Sequence, residues 1–554
     1  MNRASDTIVQ QRQPSHSCFT NDANILDLGE LEFSMLTPMG SFDSEVVGPE
    51  FACLDAVENL AIADHAVLIK QSHFNIRSFI PPALETEADL LSNHYFSSVC
   101  IINSGFDSPA NPFRTYVAEL MSGDTIIYHC MLSMSAAHLY QHREVFKQVA
   151  LNYRTEAISS LRAELSLTDG RRVLEADGHS RLSTLLFGTL LLGMSSSWHE
   201  TSSLGEIFLH GARSLLKTAK VRQSNTASGL ANNPDLTFRD HPEANFLVGA
   251  IAFWEMLSSY HINQDISATD YLKPFCLELE SADVAPNPWT GVNTGLFLLA
   301  AKVGTLTRHA HLLHQLAATL PAIKMETHLD QKLLETARQL EEQIRRYEVR
   351  PLTTDTDDKL TPGTHFETMA RVYQLTMRLE LYQVFPELLR ESSQMAHYWV
   401  SSQHESRSRS GYLEIIRALA VNILTLLCSI PVTSGTKAIQ LFPLVVAGSA
   451  LQYDSTVSNA SAPDKLCVAQ EVVSLIGDKT AILHWRAVVQ NTMLTVYKYV
   501  GLESAQRGAK IVENVWTRSD TNYHSHSSDT GVETTKFIYW ADVMREEHLE
   551  TLLG

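Results

Sequence analysis

The chain has 554 residues, 44% of them apolar and 19% charged, values of a globular protein able to bury a sizeable core rather than of a wholly disordered one. Its 43 basic and 62 acidic side chains leave a net charge of -19, which opposes a phosphate backbone and excludes nucleic-acid binding by bulk charge. The 7 cysteines include no C-x2-C unit, and the N-terminal residues lack the apolar run of a secretory leader, so the pattern fits reduced intracellular thiols better than a disulfide framework.

Between Arg12 and Lys70 there is no Lys or Arg, while carboxylates such as Asp22, Asp27, Glu30 and Glu32 alternate with Ile25, Leu28, Leu31 and Phe33. Such acidic and hydrophobic mixing reads as a disordered leader over residues 1–75, either an ordinary one or one that folds onto a partner. Residues 76–554 read as an all-α array. A helix is expected over 88–99. Asn111 then caps a helix opened by Pro112, and Gly123 ends it in a left-handed conformation. Asp124 caps the next helix, with an apolar face through Ile127, Cys130, Met131, Met134, Ala137 and His138. In 145–165 the stripe runs through Phe146, Ala150, Tyr153, Ala157, Leu161 and Leu165.

A loop is expected over 168–180 and a central helix, apolar nearly all round, over 182–194. Helix 206–217 shows a narrower stripe through Ile207, His210, Ala212 and Leu215, and 223–241 is polar loop. Buried helices follow over 246–262 and 295–316. The stripe Leu333, Ala337, Leu340, Ile344 and Tyr347 stops before Pro351, and a long helix covers 366–385. The run 418–432 carries Asn422 and Pro431 and is too short to span a bilayer, so it reads as part of a buried helix over 412–429. Further helices are expected at 463–476 and 481–499, a low-complexity loop at 518–529 and a closing amphipathic helix at 538–553. No alternating run asks to be a strand.

No phosphate loop, dinucleotide fingerprint, nucleophile elbow or metalloprotease helix is present. Gly435-Thr436-Lys437 and Gly477-Asp478-Lys479-Thr480 lack the glycine spacing that surrounds a phosphate, and Asp355, Asp357 and Asp358 precede Leu360 where a calcium loop needs glycine. His309, His311 and His314 share one helix, but only His311 and His314 share a face. His524 and His526 form a second, loop-borne pair. Ser195 to His199, SSSWH, sets hydroxyls near an imidazole with nothing to orient the base. Arg407 and Arg409 are too few for a nucleic-acid patch. The expected assignment is therefore no catalytic residue, no metal site and no cofactor.

Four blocks, His94-Tyr95-Phe96, Phe106-Asp107-Ser108-Pro109, Asn111-Pro112-Phe113-Arg114 and Ser135-Ala136-Ala137-His138, occur in order. His210-Gly211-Ala212, Phe253-Trp254-Glu255-Met256-Leu257, Trp289-Thr290-Gly291, Leu441-Phe442-Pro443-Leu444 and Trp540 continue the series. Together they resemble the helical regulatory domain of fungal-specific transcription factors, in particular the group typified by acriflavine-sensitivity control proteins. The resemblance covers the chain from about Leu84 onward and implies an all-α regulatory domain in a nuclear transcriptional regulator of a fungal biosynthetic or resistance gene set.

That family usually carries an N-terminal binuclear zinc cluster held by six thiolates. Upstream of the matching region this sequence has only Cys18 and Cys53. Either the chain reaches DNA through a partner, or a cluster encoded further upstream is not part of this sequence. The partners expected are other transcription factors or co-regulators, with DNA contacted indirectly and no membrane. A small-molecule effector and a second copy of the chain are further candidates. The alternative reading is a helical scaffold or small-molecule-binding protein that no longer acts in transcription.

Overall fold

Asn111 shows how local sequence begins to set this architecture. Its side-chain oxygen accepts the Phe113 N–H at 3.0 Å, and its amide reaches across to the Cys100 carbonyl at 3.0 Å, so one cap starts a helix and fixes the turn before it. A computed structural model describes residues 86–167, 178–226, 243–279, 285–319, 326–391, 405–453, 479–526 and 537–554. The expected leader and the expected helix over 463–476 lie outside the described residues.

The described residues are all-α. Helix α1 (Glu87–His94), opened by a Thr86–Asp89 capping box, runs on through a π turn at Tyr95–Val99. Helices α2 (Pro112–Leu120) and α3 (Thr125–Tyr140) follow, the latter capped by the Asp124 carboxylate. Next come α4 (Phe146–Leu167), α5 (Gly178–Met194), α6 (Glu206–Thr226) and α7 (Glu243–Ser258). The second half contains α8 (Thr294–Thr319), α9 (Glu326–Arg346), α10 (Gly363–Val384) and α11 (Glu405–Ser429). Helices α12 (Leu441–Ser449), α13 (Lys479–Val500), α14 (Glu503–His526) and α15 (Trp540–Glu546) close the described chain. Neighbours in sequence mostly pack on each other, α3 on α4, α5 on α6, α13 on α14, while α7 lies on α5 and α8, and α12 on α14 and α10.

Every residue of α7 from Phe246 to Ser258 is buried, so this helix has no solvent face and must be covered on all sides. Its Glu255 is 0% exposed and is met by the Arg213 guanidinium of α6, Nε to Oε1 at 2.6 Å and Nη2 to Oε2 at 2.5 Å, with the Tyr271 hydroxyl donating at 2.7 Å. Burying this charge is tolerable because it is paired and fully hydrogen-bonded. The same pair turns α6 so that, of the expected stripe, Ala212 and Leu215 pack into the core while Ile207 and His210 do not. Ile207 is 78% exposed and His210 faces solvent, whereas Leu209, Ala212, Arg213 and Leu216 are buried.

Other expectations are corrected in the same way. Gly123 does not adopt positive φ; the described glycines that do are Gly205, Gly291 and Gly501. Leu165 is exposed at 42%. Residues 178–180 and 223–226 are helical rather than loop. Residues 518–526 belong to α14, which buries Ala505, Ile511, Val512, Val515 and Trp516 and passes close to Leu441 at Gly508, where a Cβ would press on the end of the leucine side chain. The closing helix spans only Trp540–Glu546. The Leu549 N–H bonds back to the Met544 carbonyl and the His548 N–H to that of Arg545, a Schellman stop with His548 at φ 54 where glycine is usual.

Tyr412–Ser429 within α11 is the one window among the described residues long and apolar enough to cross a membrane. It packs on α10 and α12 and buries Ile416, Arg417, Ala420 and Ile423, with Arg417 donating to the Gln452 carbonyl at 3.1 Å.

Replacing Arg213 with Met leaves Glu255 buried without its cation. That variant is expected to lose on the order of 3–5 kcal/mol of stability in urea unfolding, and the double variant Arg213→Met with Glu255→Leu to recover most of it. A single variant as stable as the parent would show that the pair does not hold α6 to α7.

Candidate functional site

Several of the blocks singled out in the sequence meet around α7, where they act as fasteners. The Tyr95 hydroxyl donates to the Phe113 carbonyl at 3.0 Å, and Arg114 forks onto Asp107 at 2.8 and 2.9 Å while reaching the Phe96 carbonyl at 3.0 Å. Trp289 Nε1 donates to the Asn103 carbonyl at 2.7 Å. The Phe113 ring lies 5.2 Å from Trp289 and 5.3 Å from Phe246, and Phe253 lies 5.3 Å from Trp289. Aromatic contacts of this spacing contribute packing, and each polar tip finds a backbone partner.

Between these fasteners and the α13–α14 hairpin is an interior cavity of about 50 Å³, lined by residues that include Phe113, Met134, Met194, Trp198, Val496 and Asn103. The volume holds a few waters and no effector of ordinary size, since ligand pockets run from about 300 Å³ upward. Asn103 Nδ2 has no hydrogen-bond partner, a group that a water in the cavity can satisfy. A second hollow, about 270 Å³, is a surface groove between α13 and α14 lined by Met493, Leu494, Tyr497, Ala509, Val512 and Trp516.

The near-motifs do not assemble chemistry. Ser195 Oγ donates to the Leu191 carbonyl at 2.6 Å, not to His199. His199 instead meets Ser133 of α3 at 3.2 Å, and Ser133 already donates to the Ala150 carbonyl, so the imidazole must give its Nε2 proton. A hydroxyl serving as acceptor to its histidine is not an activated nucleophile. A Ser–His contact that sequence reading missed, Ser434 Oγ to His365 Nδ1 at 3.0 Å, belongs to a fully buried serine that caps the turn Gly435–Ile439. Lys437 in that turn is buried, its ammonium on the Val432 carbonyl and 4.6 Å from the Tyr499 ring centre. Burial lowers its pKa to about 8.

His311 Nδ1 lies 3.1 Å from the Asp542 carboxylate and its ring stacks 4.1 Å from that of Tyr539, so it fastens the α15 segment. His309 and His314 do not join it in a site: among the described residues no group of His, Cys, Asp and Glu is placed to hold a metal. Asp358 caps a turn, accepting the Leu360 N–H at 2.9 Å and the Asp107 N–H at 3.0 Å. His524 and His526 fall at the end of α14, and Gly477 and Asp478 lie outside the described residues.

Three half-buried histidines are held neutral. His138 Nε2 faces the Val500 carbonyl at 3.2 Å and so carries a proton, leaving its Nδ1 to accept from His94 Nε2 at 2.9 Å. Burial, reinforced by His138 and His142, lowers His94 to about 4; burial and then Arg154 lower His199 to about 3; burial and then Arg308 lower His261 to about 4. Above pH 6.5 these groups are neutral folded and unfolded. Below it the unfolded chain takes up protons that the fold refuses, so stability falls with pH until the folded values are reached.

Each histidine is expected to cost the fold roughly 2 kcal/mol between about pH 6.5 and pH 5. Thermal unfolding should therefore move to lower temperature over that interval, and less so in His199→Gln; a parent unfolding temperature flat across it would contradict the neutral imidazoles.

A family model described as fungal specific transcription factor domain matches residues 89–554. No curated protein and no solved structure matches the chain.

Proposed function

The chain belongs to the fungal specific transcription factor domain family, whose general role is regulation of transcription, and we propose that it controls a fungal biosynthetic or resistance gene set from the nucleus through protein contacts of its helical body. The observation that carries this reading is the match over residues 89–554, nearly all of the described chain. Three features support the mode of action. A net charge of -19 opposes direct binding to a phosphate backbone, so other transcription factors or co-regulators are the partners that fit. Polar clusters in the interior are used in packing, which leaves no assembled reaction centre among the described residues. The interior cavity of about 50 Å³ is too small for an effector of ordinary size.

Deleting the gene is expected to change a coherent set of transcripts under conditions where the protein accumulates, and unchanged transcript levels would reject the proposal. In a mobility-shift assay the purified chain is expected to show no sequence-specific DNA complex. A specific complex that weakens steeply with salt would mean that a local basic surface overcomes the overall charge.

A further inference from the structure

Residues 537–554 lie across the body like a strap. Gln452 accepts the Ile538 N–H at 3.0 Å and donates to its carbonyl at 2.6 Å. Arg518 reaches Glu546 and Glu547, and Arg507 donates to the Glu550 carbonyl at 3.0 Å. The innermost tie is Glu380 of α10, which is 0% exposed and accepts the Tyr539 hydroxyl at 2.5 Å and Trp540 Nε1–H at 2.6 Å. Both of these donors come from the strap.

Among the described residues no cation acts on Glu380. Tyr260, from the turn after α7, and Tyr539 are the titratable groups that face it, and Tyr373 of its own helix faces Tyr260. The Phe442 ring of α12 stands 5.1 Å from Tyr260, and from α8 Thr307 bonds Tyr539. One layer out, His311 pairs with Asp542, His261 bonds the Thr551 backbone, and Arg308 donates to the Tyr260 carbonyl. A neutral carboxyl fits this aromatic box when its Oε2–H donates to the Tyr539 hydroxyl, whose own proton turns to Thr307. An ionised one keeps two donors but has neither cation nor water, and lifting Tyr539 and Trp540 admits the water it lacks.

We propose that the strap is a proton-controlled clasp: neutral Glu380 keeps Tyr539 and Trp540 seated, and ionisation of Glu380, its proton passing to solvent, favours their release. Burial raises the carboxyl from 4.5 to about 7 against the opposing effect of its two donors. With the strap lifted the value falls back toward 4.5, so opening releases a proton between the two values. The opening constant therefore climbs by up to about tenfold per pH unit as pH rises toward 7 and is level above it. This sense is opposite to that of His94, His199 and His261, which loosen the whole fold in acid.

Hydrogen exchange of the full chain, corrected for intrinsic rates, tests the clasp. Between about pH 5.5 and about pH 7.5, opening of 537–554 relative to α7 is expected to rise about tenfold or more. Glu380→Gln keeps an acceptor oxygen but cannot ionise, and should flatten the response, whereas His311→Gln should leave it in place. Tyr539→Phe removes a donor to the carboxylate and should move the plateau to higher pH. A strap whose relative opening changes less than about twofold, a full response in Glu380→Gln, or an unmoved plateau in Tyr539→Phe would overturn the proposal.

Discussion

A helix without a polar face cannot sit at a surface, and α7 is such a helix: from Phe246 to Ser258 every side chain is buried. The rest of the molecule is arranged around that requirement. Helices α5 and α8 cover it directly, α6 is pinned to it by the Arg213–Glu255 fork, and the turn Asn287–Gly291 approaches so closely at Gly249 that a larger residue would strike Asn287. Apolar burial supplies the drive, but apolar contacts alone tolerate sliding. The Arg213–Glu255 fork and the Asn111 and Asn287 amides fix the register, since each finds its partners in one arrangement.

The residues that make the family visible turn out to be this register-fixing set. Tyr95, Asp107, Asn111, Arg114 and Trp289 spend their polar atoms on backbone carbonyls or on each other. A signature of this kind identifies a fold and, through the family, a general role in transcription. It names no reaction, because groups such as the Tyr95 hydroxyl and the Asp107 carboxylate are already satisfied by the fold.

Two kinds of titratable group give the fold opposite responses to pH. The imidazoles of His94, His199 and His261 resist protonation, and the Glu380 carboxyl resists ionisation. Both effects come from the cost of a charge in an apolar interior. His94 and His199 act on the packing of the body, Glu380 on the α15 segment, and His261 on both through its bond to the Thr551 backbone. Around neutral pH the body is therefore held with its histidines uncharged while opening of the strap reaches its plateau.

The sequence by itself determined the fold class, the capped junctions at Asn111 and Asp124, and the stripe of α9, because caps and helical periodicity are local properties readable a few residues at a time. The family also showed there, as an ordered series of short blocks. What only the tertiary structure decided concerns residues that break the local pattern for a distant partner. Arg213 and Glu255 are 42 residues apart and Glu380 and Trp540 are 160 apart. An acid inside an apolar run was the available signal for both carboxylates, but their partners stand on other helices. The extent of α14 was hidden by its polar end, and the stop of α15 by a histidine in the place of glycine. In each case the deciding energy lies in contacts that no window of sequence contains.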